Sequence, residues 1–172
     1  MRSAQYDFSS VHIDVPMDLS GEIIEWGKTQ IPDNSLFKDL KNSFWGREDE
    51  LHVTILYGIH SKDHQPTLQL LENEKSIHVR LQNLHIFKEK WFDVVTISVD
   101  SYDLERLNAK LKGNVRYSNR HKIYIPHITI AYVNKGEADR LQDVTFSKTK
   151  FIVDVAVFSS KDGSRTSLKL KK

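Results

Sequence analysis

The sequence predicts an α+β fold of two pseudo-symmetric lobes within a single domain spanning residues 1–172. Three observations carry this expectation. Apolar periodicity switches between strand-like and helix-like spacing in the same order in each half: strand, helix, strand. A hexapeptide, His52-Val53-Thr54-Ile55-Leu56-Tyr57, recurs 75 residues later as His127-Ile128-Thr129-Ile130-Ala131-Tyr132. No Pro/Gly/Ser-rich linker separates the halves, so the lobes pack closely around a groove rather than folding independently.

Ser9 to Val15 reads as the first strand, because Val11, Ile13 and Val15 alternate with Ser10, His12 and Asp14. Pro16 ends it, and Asp18 or Ser20 caps a helix that runs to about Gln30 with Ile23, Ile24 and Trp26 inward, stopped by Pro32. Leu51 to Ile59 is the next strand. Pro66 to Glu74 follows as a short helix burying Leu68, Leu70 and Leu71. Ile77 to Phe87 and Trp91 to Val99 form a hairpin around the charged tip Lys88-Glu89-Lys90. Ser101 caps a helix from Tyr102 to Lys112 that Gly113 stops, and Ile125 to Val133 is the second His-x-Thr strand. Glu137 to Gln142 is helical. Phe151 to Phe158 and Thr166 to Leu170 flank Lys161-Asp162-Gly163-Ser164, a turn sequence that closes a terminal hairpin.

Composition excludes several function classes. An apolar content of 39% with three Trp, six Tyr and eight Phe excludes a disordered chain, and the absence of Cys excludes disulfides, thiol nucleophiles and cysteine-ligated zinc. Lys+Arg number 25 against 23 Asp+Glu, too even a balance for a general polyanion binder, although a local basic cleft remains able to attract phosphate. The polar start from Met1 to Ser10 and the lack of a run of ~20 apolar residues lead us to expect no membrane partner and a cytoplasmic protein, in the host cytoplasm if the gene is a phage's.

The repeat carries the chemistry. Residues i and i+2 of a strand share a face, so His52 lies beside Thr54 and His127 beside Thr129. Strict alternation sends Val53, Ile55 and Tyr57, and likewise Ile128, Ile130 and Tyr132, to the opposite, apolar face; Tyr57 and Tyr132 are therefore expected in the core. An approximate two-fold then gathers two imidazoles and two hydroxyls around one point suited to a phosphate. One neutral imidazole takes the proton of an attacking hydroxyl while the other, protonated, gives one to the leaving oxygen. The Thr hydroxyls suit donation to the developing negative oxygen. A ribose phosphodiester, with its neighbouring 2′-hydroxyl or cyclic phosphate, fits this chemistry without metal or cofactor, so the expected partner is a nucleotide or oligonucleotide.

These residues resemble the 2H phosphoesterase superfamily, marked by paired His-x-Ser/Thr-hydrophobic motifs. The resemblance implies two antiparallel-rich sheets facing a central cleft with helices outside, and phosphodiesterase activity. Lys122, Tyr124, Pro126, His127, Ile128, Thr129 and Ile130 look like the second-motif run of its RNA ligase-like and cyclic phosphodiesterase branches, where an Arg often stands near the position of Tyr132. The stretch from Gly46 to His60 is more similar to phage anti-CBASS cyclic-oligonucleotide phosphodiesterases, which implies hydrolysis of cyclic di- or trinucleotides with His52, Thr54, His127 and Thr129 as the catalytic set.

Around these four, Lys122 and Tyr124 are candidate substrate contacts because they share a segment with His127, and His12 lies on the polar face of the first strand, where it lines the groove if that strand neighbours a His-x-Thr strand. Trp45, Trp91 and Tyr117 are of a type that stacks bases, and Arg47, Arg116 and Arg120 of a type that neutralises phosphate, though core packing or solvent accounts for most such residues. His60, Asp63 and His64 lack the spacing and third ligand of a zinc site. An RNA 2′,3′-cyclic phosphodiesterase or 2′-5′ oligonucleotide phosphodiesterase is the alternative within the enzyme class, and a nucleotide- or RNA-binding module without turnover is the alternative from another class.

Overall fold

Each His-x-Thr hexapeptide forms a strand, and each is reached through a strand and a helix, so the duplication legible in the sequence is also the plan of the fold. The computed structural model describes residues 6–39 and 46–172. In chain order the elements are β1 (Ser9–Asp14), α1 (Met17–Gln30), β2 (His52–Ile59), α2 (Gln65–Gln69), β3 (Ile77–Lys88), β4 (Phe92–Asp100), α3 (Tyr102–Lys112), β5 (His127–Asn134), β6 (Lys150–Val153), β7 (Val155–Ser159) and β8 (Arg165–Lys169). The units β1–α1–β2 and β4–α3–β5 are the two repeats.

The strands form one curled, antiparallel sheet in the order β6-β3-β4-β5-β2-β1-β7-β8. The α+β class is as expected, but the expected pair of sheets is joined at the β2–β5 seam, where Val53 faces Ile128. The long strand expected over Phe151 to Phe158 is broken at Asp154. Its first part pairs with β3 and its second with β1, so this segment crosses from one half to the other. The core face passes from Phe151 and Val153 before the break to Ala156 and Phe158 after it, and because every residue of this run except Asp154 is apolar, sequence periodicity hides the change. The start of β3 and the chain's end also meet, with Ser76 N–H donating to the Lys171 carbonyl at 2.8 Å, which draws the two edges of the sheet together.

The helices cover one face of the sheet and each lies under the other repeat's motif strand. The α3 helix begins at the expected cap, Ser101 Oγ accepting from Leu104 N at 3.2 Å, and buries Leu104, Leu107 and Leu111. Its Asn108 side chain donates to the Ile55 carbonyl of β2 at 2.6 Å. The α1 helix passes so close to β5 that a Cβ on Gly27 would come within 2.9 Å of Ile130 Cγ2. It starts at Met17, behind the N-cap Pro16, whose carbonyl accepts from Ser20 N at 2.8 Å. Neither expected side chain caps it; Asp18 instead accepts from the adjacent Leu19 N at 2.9 Å. Two other helices are shorter than their periodicity suggests: α2 stops at Gln69 and gives way to turns, although Leu68 and Leu71 are still buried, and Glu137–Arg140 is a single 3-10 turn.

The β3–β4 hairpin forms as expected, with Lys88 opposite Asp93 beside its tip. Asp93 is fully buried and accepts from Lys88 Nζ at 3.0 Å, Lys135 Nζ at 2.9 Å and Gly136 N at 2.8 Å. These charged donors satisfy a carboxylate that would otherwise be costly to bury, and they fix the hairpin to the end of β5.

Candidate active site

The seam between β2 and β5 builds the site. Val53 and Ile128 are fully buried on the helix side, so His52, Thr54, His127 and Thr129 project from the opposite, groove face. An antiparallel register centred on that pair sets His52 across from Thr129 and Thr54 across from His127. Each imidazole is thus flanked by its own threonine along the strand and by the other repeat's threonine across it.

Both rings are oriented in the same way. His52 Nδ1 lies 2.9 Å from the Glu50 carbonyl, and His127 Nδ1 lies 2.8 Å from the Ile125 carbonyl, two residues back in each case. A carbonyl oxygen only accepts, so in both rings Nδ1 carries a hydrogen and Nε2 is left to exchange a proton with a substrate.

Their surroundings differ. His127 packs against Phe87 with ring centroids 4.9 Å apart, and burial holds its pKa below the ordinary imidazole value, with the backbone bond to Ile125 opposing and a charge on His52 reinforcing the shift. His52 instead lies against His12, centroids 5.0 Å apart. His12 is opposite Thr54 in the β1–β2 register and only 5% exposed. Burial first, then the charges of His52 and Arg165, depress its pKa to about 3, so at neutral pH it is an uncharged ring whose Nε2 accepts from Arg165 at 3.1 Å. Arg165 also reaches Asp14 at 3.3 Å and Glu50 at 2.6 Å, tying β8, β1 and the approach to β2 together behind His52.

The four motif residues and His12 are therefore brought together. Tyr124 turns toward the core, and its hydroxyl donates to the Thr54 carbonyl at 2.8 Å; burial raises its pKa. That bond holds the segment before β5 against β2. Lys122 is exposed on the same segment. Tyr117 packs against the core and pairs with Ile59, while Arg47 binds Asp33 at 2.6 Å and the Ile31 carbonyl beyond α1. Trp91 is on the hairpin tip, 69% exposed, and Trp45 lies outside the described residues. His60 bonds Ser118 Oγ at 2.7 Å, and among the described residues no three His, Asp or Glu side chains form a metal-binding group.

One expectation is reversed. Tyr57 and Tyr132 face the groove, because each motif strand carries a β-bulge one residue after its Thr. In β2 the register passes from Thr54, opposite His12, to Leu56, opposite Val11, so Ile55 is the extra residue. In β5 it passes from Thr129, opposite Thr96, to Ala131, opposite Val95, so Ile130 is extra. An added residue inverts the alternation beyond it. Ile55 and Leu56 are both buried, as are Ile130 and Ala131, and each tyrosine returns to the face of the His and Thr. Leu56 and Ala131 gave a signal of this: they are apolar where strict alternation requires groove-facing side chains.

The bulge also explains Asn108, whose amide satisfies the carbonyl of the extra residue Ile55. On the other strand Glu48 N donates to the Ile130 carbonyl at 2.9 Å. The carboxyl of Glu48 is near enough to His52 and Tyr132 for their charges to interact, and burial raises its pKa. Glu48, Arg165 and the two tyrosines were not among the candidate residues.

The model of the 2′-5′ RNA ligase superfamily matches residues 44–164, a span that includes both motifs. No curated protein matches the chain. Among solved structures, TT0787 of Thermus thermophilus superposes with a TM-score of 0.66 at 18% identity, over 94% of this chain and 95% of that one. E. coli LigT in its apo form gives 0.67 at 17% identity, over 98% and 99%, and its complex with 3′-AMP gives 0.65 at 19%, over 97% and 96%. Kluyveromyces marxianus Usb1 gives 0.61 at 10%, over 98% and 99%. At these identities the structures share a fold with this chain, and the family match supplies the rest: the chain belongs to the 2′-5′ RNA ligase superfamily, the 2H phosphoesterases.

Proposed function

We propose that this chain is a metal-independent phosphodiesterase that cleaves a nucleotide phosphodiester with His52 and His127 as its acid/base pair and Thr54 and Thr129 as donors to the phosphate. The observation that carries the reading is the matched pair of imidazoles, both anchored through Nδ1 and presenting Nε2 on one face. His127, held neutral by burial against Phe87, is suited to remove the proton from an attacking hydroxyl. His52, protonated, gives its Nε2 proton to the leaving oxygen. After the step His127 carries the proton and His52 is neutral, so a second step in the opposite sense restores both.

Cyclic di- and trinucleotides are the substrates we propose first, on the resemblance of the stretch at residues 46–60. RNA ends bearing a 2′,3′-cyclic phosphate are the second reading, favoured by the superfamily match and by the LigT structure that holds 3′-AMP. His52→Ala and His127→Ala should each lower turnover by roughly 10²- to 10⁴-fold while leaving the melting temperature nearly unchanged. Near-normal turnover in either variant overturns the mechanism. A chromatographic screen of cyclic di- and trinucleotides against 2′,3′-cyclic ends separates the substrates, and exclusive reaction of the latter removes the first reading. Binding of nucleotides by the unmutated protein without any product establishes a binding module instead.

A further inference from the structure

The two motif histidines are anchored alike but braced differently, and on the His52 side the bracing converges on one cation. Arg165, on the edge strand β8, extends two arms. Its Nη1 donates to Glu50 Oε2 at 2.6 Å, and the backbone carbonyl of that same residue accepts from His52 Nδ1 at 2.9 Å. Its Nη2 donates to His12 Nε2 at 3.1 Å, and the His12 ring packs against the His52 ring with centroids 5.0 Å apart. One arm thus reaches the residue that sets the tautomer of His52, and the other reaches the ring that lies against it. Asp14, opposite His52 in the β1–β2 register, accepts from the same Nη2 at 3.3 Å. The second half is built otherwise. The position equivalent to His12 is Thr96, which faces Thr129 as His12 faces Thr54. Thr96 is fully buried and donates within the sheet to the His85 carbonyl at 2.8 Å, while the His127 ring rests on Phe87.

We propose that Arg165 is a positioning residue for His52: it holds Glu50 and His12 so that the imidazole keeps its hydrogen on Nδ1 and its Nε2 toward the scissile phosphate. Charge balance separates this role from direct phosphate binding. Two carboxylates, Glu50 and Asp14, surround one guanidinium, so the cluster as a whole has no positive charge to offer an anion. Shape matters as well. A planar guanidinium spans Glu50 and His12 in a fixed fork, which a single ammonium on a flexible stem cannot do. Arg165 also fixes the state of His12. A guanidinium only donates, so His12 Nε2 must accept, and a ring kept neutral in this way packs against a protonated His52 without repulsion. A misplacement of about 1 Å at a reacting group costs on the order of 10²-fold in rate, so a clamp that acts on position alone carries a large share of turnover. The inference rests on the proposed phosphodiesterase reading, in which His52 gives its Nε2 proton to the leaving oxygen.

Kinetics and imidazole spectroscopy on the full chain test the clamp together. Arg165→Ala should lower kcat about 10- to 100-fold with KM and the affinity for inorganic phosphate nearly unchanged, because the guanidinium does not touch the substrate. Arg165→Lys should recover only part of the loss. Added guanidinium ion, below denaturing concentrations, should rescue Arg165→Ala and not His52→Ala, since a cavity of about 340 Å³ lined by Asp14, Glu50 and Arg165 gives a small cation access to the vacated place. In long-range proton–nitrogen correlation spectra at alkaline pH, Arg165→Ala should turn His52 from the Nδ1–H tautomer to a mixture while His127 keeps Nδ1–H. A general loss of stability would not spare His127. Glu50→Gln, a change to an exposed side chain, weakens one arm without touching the arginine. It should lower kcat severalfold and shift the His52 tautomer in the same direction, and so carries the test where Arg165→Ala folds poorly. Raised KM or weakened phosphate with kcat unchanged overturns the proposal in favour of a direct substrate contact. An unchanged His52 tautomer, or equal disturbance of His52 and His127, overturns it in favour of a purely structural tie. Failure of the catalytic reading is distinguishable: it is an unmutated protein that hydrolyses none of the phosphodiesters screened while Arg165→Ala still shifts the His52 tautomer alone.

Discussion

Acidification should destabilise this protein through one buried ring. His12 is 5% exposed and its pKa is depressed to about 3, against 6.5 for a free imidazole. Because the folded value lies below the unfolded one, the stabilisation is fully present above pH 6.5, declines as pH falls, and is gone below about 3. Each unit in that window is worth about 1.4 kcal/mol, so lowering pH from 6.5 to 4 removes roughly 3 kcal/mol, a large part of an ordinary domain's ~5–15 kcal/mol. His12→Gln removes the titration while leaving an oxygen to accept from Arg165. Urea unfolding of both proteins at pH 7 and pH 4 measures the effect, since titrating groups common to both largely cancel in the difference. The unmutated protein should lose about 3 kcal/mol more than the variant between the two conditions. Equal losses would refute the reasoning and mean that His12 takes up its proton in the folded state without penalty, as a partner of Asp14, which lies 3.3 Å away.

Two further outcomes are expected. The acidic limb of the kcat/KM profile should lie below the usual imidazole midpoint because burial depresses His127, and Phe87→Ala, by admitting water to that ring, should move the limb upward; a limb that does not respond to Phe87 separates the base from His127. Asn108→Ala leaves the Ile55 carbonyl without its buried donor and should cost about 1–3 kcal/mol in urea unfolding, whereas a loss under about 0.5 kcal/mol would mean that the bulge does not depend on that bond.

Much of this architecture is legible in the chain because it is encoded locally. Ser101 is followed three residues later by a backbone N–H that it caps, and the hexapeptide repeat locates both motif strands and the two-fold relation between them. What periodicity misses is what register and tertiary pairing decide. The Lys150–Val153 and Val155–Ser159 strands read as one run because both faces around Asp154 are apolar, so the change of core face from Phe151 and Val153 to Ala156 and Phe158 leaves no gap in the pattern. The bulges at Ile55 and Ile130 also invert alternation, but within an unbroken strand, and so reverse the placement of Tyr57 and Tyr132. Arg165 is invisible as a support for His52 until the terminal hairpin is seen to pair with β1, which sets β8 one strand beyond β7 on the same side.

The same geometry bears on why a duplicated site would serve catalysis rather than binding alone. Two imidazoles in equivalent settings would titrate together, and a general acid and a general base must differ in protonation at the moment of reaction. Here duplication supplies the matched anchoring of Nδ1, while the strands on either side supply the difference: Phe87 on β3 reaches the His127 side, and His12 on β1, with Arg165 behind it, lines the His52 side. A groove that only held phosphate would gain from two cationic rings, and depressing one of them would weaken it. The apolar wall at His127 is therefore a cost to a binding module and an asset to the proposed phosphodiesterase. Replacing Phe87 by Ala discriminates between them, because it should raise affinity for inorganic phosphate near neutral pH while shifting the acidic limb of turnover upward.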